Sequence, residues 1–350
     1  MRPILAALTM MSTAMCASAQ FGGPQTNNDP FSKTVPSGPG ACSVAKSCVE
    51  VAPSIIKAAE TSPAFAANLQ FLLATKGKRP SGSAEEKKTM AWAVDAFRKS
   101  GYVGVKTETV TLGHGRTSQN VIAEISGRDL PQEFVIVAAH LDSPVGESDP
   151  ASSQGAAAVI EAARAVHASG SLPRRSIRFV LFTGSANDMA GTHAYVLKHS
   201  GELDQIVAVI TADGGGKPIS GFSLEGRKEL IAPVQKELQP VRSLGVDDFT
   251  SAAEVHRDTI DFLLEGIPTL AASYGSSAPT AGANTLSALK KDAAILSVTA
   301  YALADTESRI GSRQSRTKIE EMLQETGLAT KMKSEKLWAL WQAGRRGRKP

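Results

Sequence analysis

Apolar and polar positions along this chain change period several times, and the changes mark its elements. From Val51 to Thr75 apolar residues recur at helical spacing, as at Ile55, Ile56 and Ala59 and then Leu69, Leu72 and Leu73, which predicts helices. Lys78-Arg79-Pro80-Ser81-Gly82-Ser83 interrupts them. Ser83 then reads as an N-cap, with Glu85 and Glu86 in the first turn of a helix through Ala91-Trp92-Ala93-Val94 that stops at Ser100-Gly101. Alternating runs over Val105 to Leu112 and Asn120 to Ile125, separated by Gly113-His114-Gly115, predict two antiparallel strands leading into a third. That third run, Glu133-Phe134-Val135-Ile136-Val137-Ala138-Ala139-His140, is unbroken and rich in β-branched residues, the pattern of a strand buried on both faces.

Downstream, a polar loop over Ser148 to Gln154 precedes an Ala-rich helix from Gly155 to His167. Buried strands over Arg178 to Phe182 and Ile206 to Ala212 alternate with helices over Ala190 to His199 and Leu230 to Leu238, and a last helix spans Ser287 to Asp305. Strand–helix alternation of this kind predicts an α/β fold: one main domain built on a doubly wound mixed sheet with helices on both faces.

The chain has 350 residues, 42% of them hydrophobic, enough for one large core. Pro3 to Cys16 is apolar, follows Arg2 and precedes Ala17-Ser18-Ala19, the layout of an export signal cleaved after Ala19 and too short to span a bilayer. Residues 20 to 50 read as a Gly/Pro/Asn/Ser-rich linker, with a local disulfide between Cys42 and Cys48 expected in an oxidising compartment. The domain proper is expected over residues 51 to 310 and a basic, partly helical tail over 311 to 350. From Arg313 onward ten Lys or Arg face four acidic residues, an excess larger than the net +4 of the whole chain. Arg345-Arg346-Gly347-Arg348-Lys349 ends the chain as a basic cluster, read as solvated or partly docked, with an anionic surface as its functional alternative. Nucleic acid is not an expected partner.

The candidate chemistry centres on His140 and Asp142. Ligands of open α/β sheets bind at the carboxyl ends of strands, where this pair stands, and strand alternation would aim both side chains the same way. Other chemistries lack their motifs: Thr183-Gly184-Ser185-Ala186-Asn187 is not a nucleophile elbow, and Gly214-Gly215-Gly216-Lys217 lacks the spacing of a phosphate loop.

Ala139-His140-Leu141-Asp142-Ser143, Gly155 with Glu161-Ala162-Ala163-Arg164, Arg174 to Phe179, Gly191-Thr192-His193-Ala194-Tyr195-Val196 and Ala212-Asp213 together resemble the co-catalytic zinc exopeptidases, metallopeptidase family 28. Gly221 to Arg227 and Phe262 to Leu270 look most like its carboxypeptidase-like branch. The resemblance implies two zinc ions held by a strand-end His, a bridging Asp, a Glu, a second Asp and a distal His, with an adjacent Glu as general base. On that pattern His140 and Asp213 match metal ligands, and Asp142 matches the Asp that supports the strand-end His. The bridging Asp falls on Ala151 or Ser152, the glutamate pair on Ser185-Ala186, the distal His near Thr280, and a substrate-side Ser-Asp-His becomes Arg257-Asp258-Thr259.

With those positions lost, the resemblance implies a degenerate member, a pseudopeptidase that binds a peptide or amino-acid-like ligand and carries no cofactor. His140 and Asp142 then become a strand-end His hydrogen-bonded to a neighbouring Asp. The rival expectation is an active zinc aminopeptidase or carboxypeptidase whose site is rebuilt from Asp149, Asp188, His193 and His256. A third is an envelope scaffold acting through the tail.

Overall fold

The computed structural model describes residues 47–74, 78–145, 149–212, 217–275 and 283–350, with the side chains of 283–285 outside that description. The expected export signal, residues 20–46 of the expected linker with Cys42, Asp213, the triglycine turn and Thr280 therefore lie outside the described residues, and the last residues of that linker, from Cys48 on, are helical.

Three helices open the described chain: α1 (Cys48–Glu60), α2 (Ala64–Ala74) and α3 (Ala84–Lys99). Ser83 caps α3 as its sequence predicts, its hydroxyl accepting from Glu86 N at 3.1 Å. The central α/β part then runs β1 (Lys106–Gly113), β2 (Arg116–Ile125), β3 (Leu130–His140), α4 (Pro150–Ala168), β4 (Arg175–Phe182), α5 (Ala190–Lys198) and β5 (Ile206–Thr211). It continues with β6 (Ile219–Ser223), α6 (Ile231–Glu237), β7 (Asp248–Thr250), α7 (Ile260–Leu264), β8 (Thr269–Tyr274) and α8 (Ala283–Asp305). Cys48, at the start of α1, is a free cysteine, and burial pushes its thiol up to about 12.

The eight strands form one mixed sheet in the order β1-β2-β4-β3-β5-β8-β6-β7. The expected doubly wound mixed sheet is there. The β1–β2 hairpin does not lie against β3; β2 pairs antiparallel with β4, and β3 lies parallel between β4 and β5. Burial on both faces places β3 in the middle. Val135, Val137 and Ala139 join the core beneath α1, α4 and α8, while Phe134, Ile136 and Ala138 join a second cluster with Tyr195, Val196 and Phe262 on the other face.

Helix α4 starts five residues before the expected Gly155. Asp149 accepts from Ser152 N at 3.0 Å, and Pro150 fits the first turn, where no backbone donor is needed. The capped start turns the expected polar loop into helix. Gly155 then lets α4 press onto the sheet, since a Cβ there would meet the Ala212 carbonyl oxygen at 2.1 Å.

The tail, expected to be solvated or partly docked, is packed against the domain. It folds into α9 (Arg316–Glu325), α10 (Leu328–Ser334) and α11 (Leu337–Gln342). Ile319, Leu323, Met332 and Trp341 are fully buried in a core shared with Ile260 and Leu264. Among the described residues no helix is long and apolar enough to cross a membrane.

Candidate functional site

Strand β3 delivers His140 to the carboxyl edge of the sheet and ends there, so Asp142 lies beyond the strand and the alternation that would align the two side chains stops two residues short of it. Asp142 is fully buried. Its Oδ2 accepts from Ser81 Oγ at 2.6 Å and its Oδ1 from Ser185 N at 3.1 Å. It thus ties the loop before α3 and the turn after β4 to the end of β3. It is a staple of the site's walls, and the neighbour that supports His140 is a different residue.

That neighbour is Asp258, which is 2% exposed and places Oδ2 3.2 Å from His140 Nδ1. Nε2, on the opposite side of the ring, lies 3.5 Å from Asp149 Oδ2. Burial pushes the Asp149 carboxyl up, but its interaction with His140 and the hydrogen bond from Ser152 N outweigh this and hold it below the usual carboxylate range. Upstream of Asp258, the buried Glu225 receives Arg257 Nη1 at 3.0 Å and Glu254 N at 3.3 Å, which fixes the segment carrying Asp258. This role of Asp258 is not legible in the sequence, where Arg257-Asp258-Thr259 stands in place of the family's Ser-Asp-His. The retained acid was the available signal.

The turn after β4 holds the positions where the resemblance implies a glutamate pair, here Ser185 and Ala186. The chain reverses through Gly184, Asp188 and Met189 at φ of 71°, 53° and 56°, and the last two are uncommon values for residues with side chains. Ala190 N and Gly191 N close it by bonding back to the carbonyls of Gly184 and Thr183 at 3.0 and 2.9 Å. Beneath it, burial raises the pKa of Glu86, which receives Ser118 Oγ at 2.8 Å and also bonds Thr183 Oγ1.

The proposed substitutes scatter. Of Asp149, Asp188, His193 and His256, only Asp149 reaches His140. His193 Nδ1 is 3.1 Å from Asp261 Oδ1, His256 Nε2 is 3.5 Å from Glu335 Oε1, and the backbone oxygen of Asp188 accepts from Arg346. Zinc does not fit the described donor set. An imidazole lends a metal one nitrogen, and here Asp149 and Asp258 stand at opposite nitrogens, so the three cannot converge on one ion. Ser152, at one count of the bridging position, uses its hydroxyl to accept from Arg79 Nη2 at 2.9 Å and to donate to the Asp149 carbonyl at 3.0 Å. Among the described residues no three His, Cys, Asp or Glu form a group that could hold a metal.

The fold has relatives among metallopeptidases. Carboxypeptidase Q of Rattus norvegicus is 28% identical over 204 residues, 55% of this chain and 43% of that protein. Carboxypeptidase Q of Xenopus laevis is 29% identical over 155 residues, 43% of this chain and 32% of that protein. The chain therefore spans less than half the length of these curated relatives. Among solved structures, a peptidase M28 precursor from Shewanella amazonensis superposes with a TM-score of 0.66 at 16% identity, over 77% of this chain and 99% of that one. The model of peptidase family M28 matches residues 120–296, just over half of the chain, from within β2 through β8. By that match, and by the mixed sheet that ends in His140, this chain belongs to peptidase family M28.

Proposed function

We propose that this protein is an exported, non-catalytic member of family M28 that binds a peptide or an amino-acid-like ligand in the cleft at the carboxyl edge of its sheet. The observation that supports this most directly is the state of the family's catalytic turn. Ser185 and Ala186 stand where a general base and a metal-binding carboxylate are implied, and neither can accept a proton from water at neutral pH or ligate as a carboxylate does. The apolar stretch Pro3 to Cys16 supports export.

The rival reading is an active zinc exopeptidase with a rebuilt site, and Asp149 beside His140 is the observation in its favour. Zinc content of protein purified without chelators, measured together with aminopeptide and carboxypeptide hydrolysis, separates the two. Sub-stoichiometric zinc and no turnover are expected. Stoichiometric zinc with chelator-sensitive hydrolysis overturns the proposal.

A further inference from the structure

The family match ends at residue 296, and the helices from Arg316 onward lie beyond it. They do not dock at random. Their apolar core is shared with Val255, Ile260, Leu263 and Leu264, the segment that also carries Asp258 toward His140. Gly347 lets the end of the chain touch that segment, since a Cβ there would meet Leu264 Cβ at 2.7 Å. Arg348 N bonds the Leu264 carbonyl at 2.9 Å.

The firmest tie is Arg346. Its Nε and Nη2 donate to Asp261 Oδ1 and Oδ2 at 2.7 and 2.8 Å, and Nη2 also donates to the Asp188 carbonyl at 2.8 Å. Arg346 is 5% exposed and Asp261 1%. Thr192 Oγ1 and His193 Nδ1 meet the same carboxylate at 3.1 Å each, so the latch joins the tail to α5, α7 and the left-handed turn at Asp188-Met189. A bidentate guanidinium–carboxylate pair holds geometry as well as charge.

Between these parts is a cavity of about 260 Å³. Ser185 and Ala186 lie on its body side, and Glu335, Leu337 and Arg346 of the tail on the other. It is smaller than the roughly 300–1,000 Å³ of ordinary small-molecule sites. A strand of polypeptide crossing the Ser185–Ala186 turn would have to displace the tail.

We propose that the C-terminal helical unit is an intramolecular cap, latched by Arg346 on Asp261, that restricts the cleft at Ser185–Ala186 to small ligands and excludes extended polypeptide. It deepens the preceding reading and rests on its assignment of this cleft as the ligand site. The unit sets access; it takes no part in chemistry.

Labelling of a reporter thiol at Ala186, an exposed position, tests it in the full chain. Ala186→Cys is placed in a background with Cys16, Cys42 and Cys48 replaced by Ser. It is reacted with N-ethylmaleimide and with a maleimide carrying a long polyethylene glycol chain. The small reagent is expected to react readily and the large one slowly. Arg346→Met should raise the rate of the large reagent by about tenfold or more, within the range by which a minor open state can be populated. Arg346→Lys, which keeps the charge and loses the fork, should fall between and decides the matter if Arg346→Met does not fold. Equal rates for both reagents with the latch intact, no reaction with the small reagent, or a large-reagent rate that the foldable latch variant leaves unchanged would each overturn the cap. Zinc content and hydrolysis on the same preparations report separately on whether the protein is non-catalytic, so one reading can fail without the other.

Discussion

His140 Nδ1 lies 3.2 Å from Oδ2 of Asp258, a residue 118 positions further along the chain, while Asp142, two positions away, spends its carboxylate on Ser81 and Ser185. The strand-end imidazole is therefore supported from across the fold, and its other nitrogen faces Asp149.

That arrangement sets the expected response to metal removal. An ion bound only by the native state at a hundred times its Kd would add about 2.7 kcal/mol of stability, enough to move a melting midpoint by several degrees. Thermal unfolding with and without a chelator should give the same midpoint. A chelator-induced drop of that size would show a metal that the described donor set does not accommodate.

The Asp261–Arg346 pair should behave as a buried ion pair. Removing one partner leaves the other charge buried and unmatched, a loss of about 3–5 kcal/mol, whereas replacing both with apolar groups of similar volume is close to neutral. Asp261→Leu should therefore destabilise strongly in urea titrations, and Asp261→Leu with Arg346→Met should recover much of the loss. Additive losses would refute direct coupling.

His199 lies against Glu108 at 3.0 Å and Glu202 at 3.3 Å. Burial lowers its pKa, but these carboxylates outweigh it and leave the imidazole raised, while Glu108 is lowered and Glu202 falls to about 2. A raised His contributes stability that is complete below its unfolded value of about 6.5 and is lost as pH rises through the folded value. The lowered glutamates contribute stability above about 4.3 that is lost as pH falls through their folded values. The stability difference between the native protein and His199→Gln should peak between these limits, in mildly acid solution. A difference that is flat with pH would remove the cluster from the account.

Asp292 on α8 accepts from Ile219 N at 2.8 Å, and burial pushes its carboxyl up to about 7. With the folded value above the unfolded one, stability is greatest below pH about 4 and declines as pH rises toward 7. Asp292→Asn keeps an acceptor for Ile219 and removes the titrating proton. It should flatten that slope and stabilise the protein at pH 8, on the order of 1.4 kcal/mol for each tenfold change in proton affinity that the substitution removes. Unfolding titrations at pH 5 and pH 8 check this, and an unchanged slope would count against it.

What the sequence determined by itself was local or periodic. The run from Phe134 to Ala139 specified a doubly buried strand because every position is apolar, and Ser83 with Glu86 three residues on specified where α3 begins. The ordered landmarks around His140 sufficed for the family, because a fold's strand ends keep their chain order. Local rules also erred locally: Asp149 and Pro150 form a helix start that polar composition disguised as a loop.

Only the tertiary structure decided what lay between distant segments. Strand β2 pairs antiparallel with β4 and leaves β3 between the parallel strands β4 and β5, and nothing in the β2 sequence names its partner. Asp258 meeting His140, and Arg346 reaching Asp261 across 85 residues, are products of packing. The tail's basic count suggested a solvated or partly docked end; three short helices and a buried Trp341 drew Arg346 inward, because an apolar face must be covered and the charges beside it then need partners.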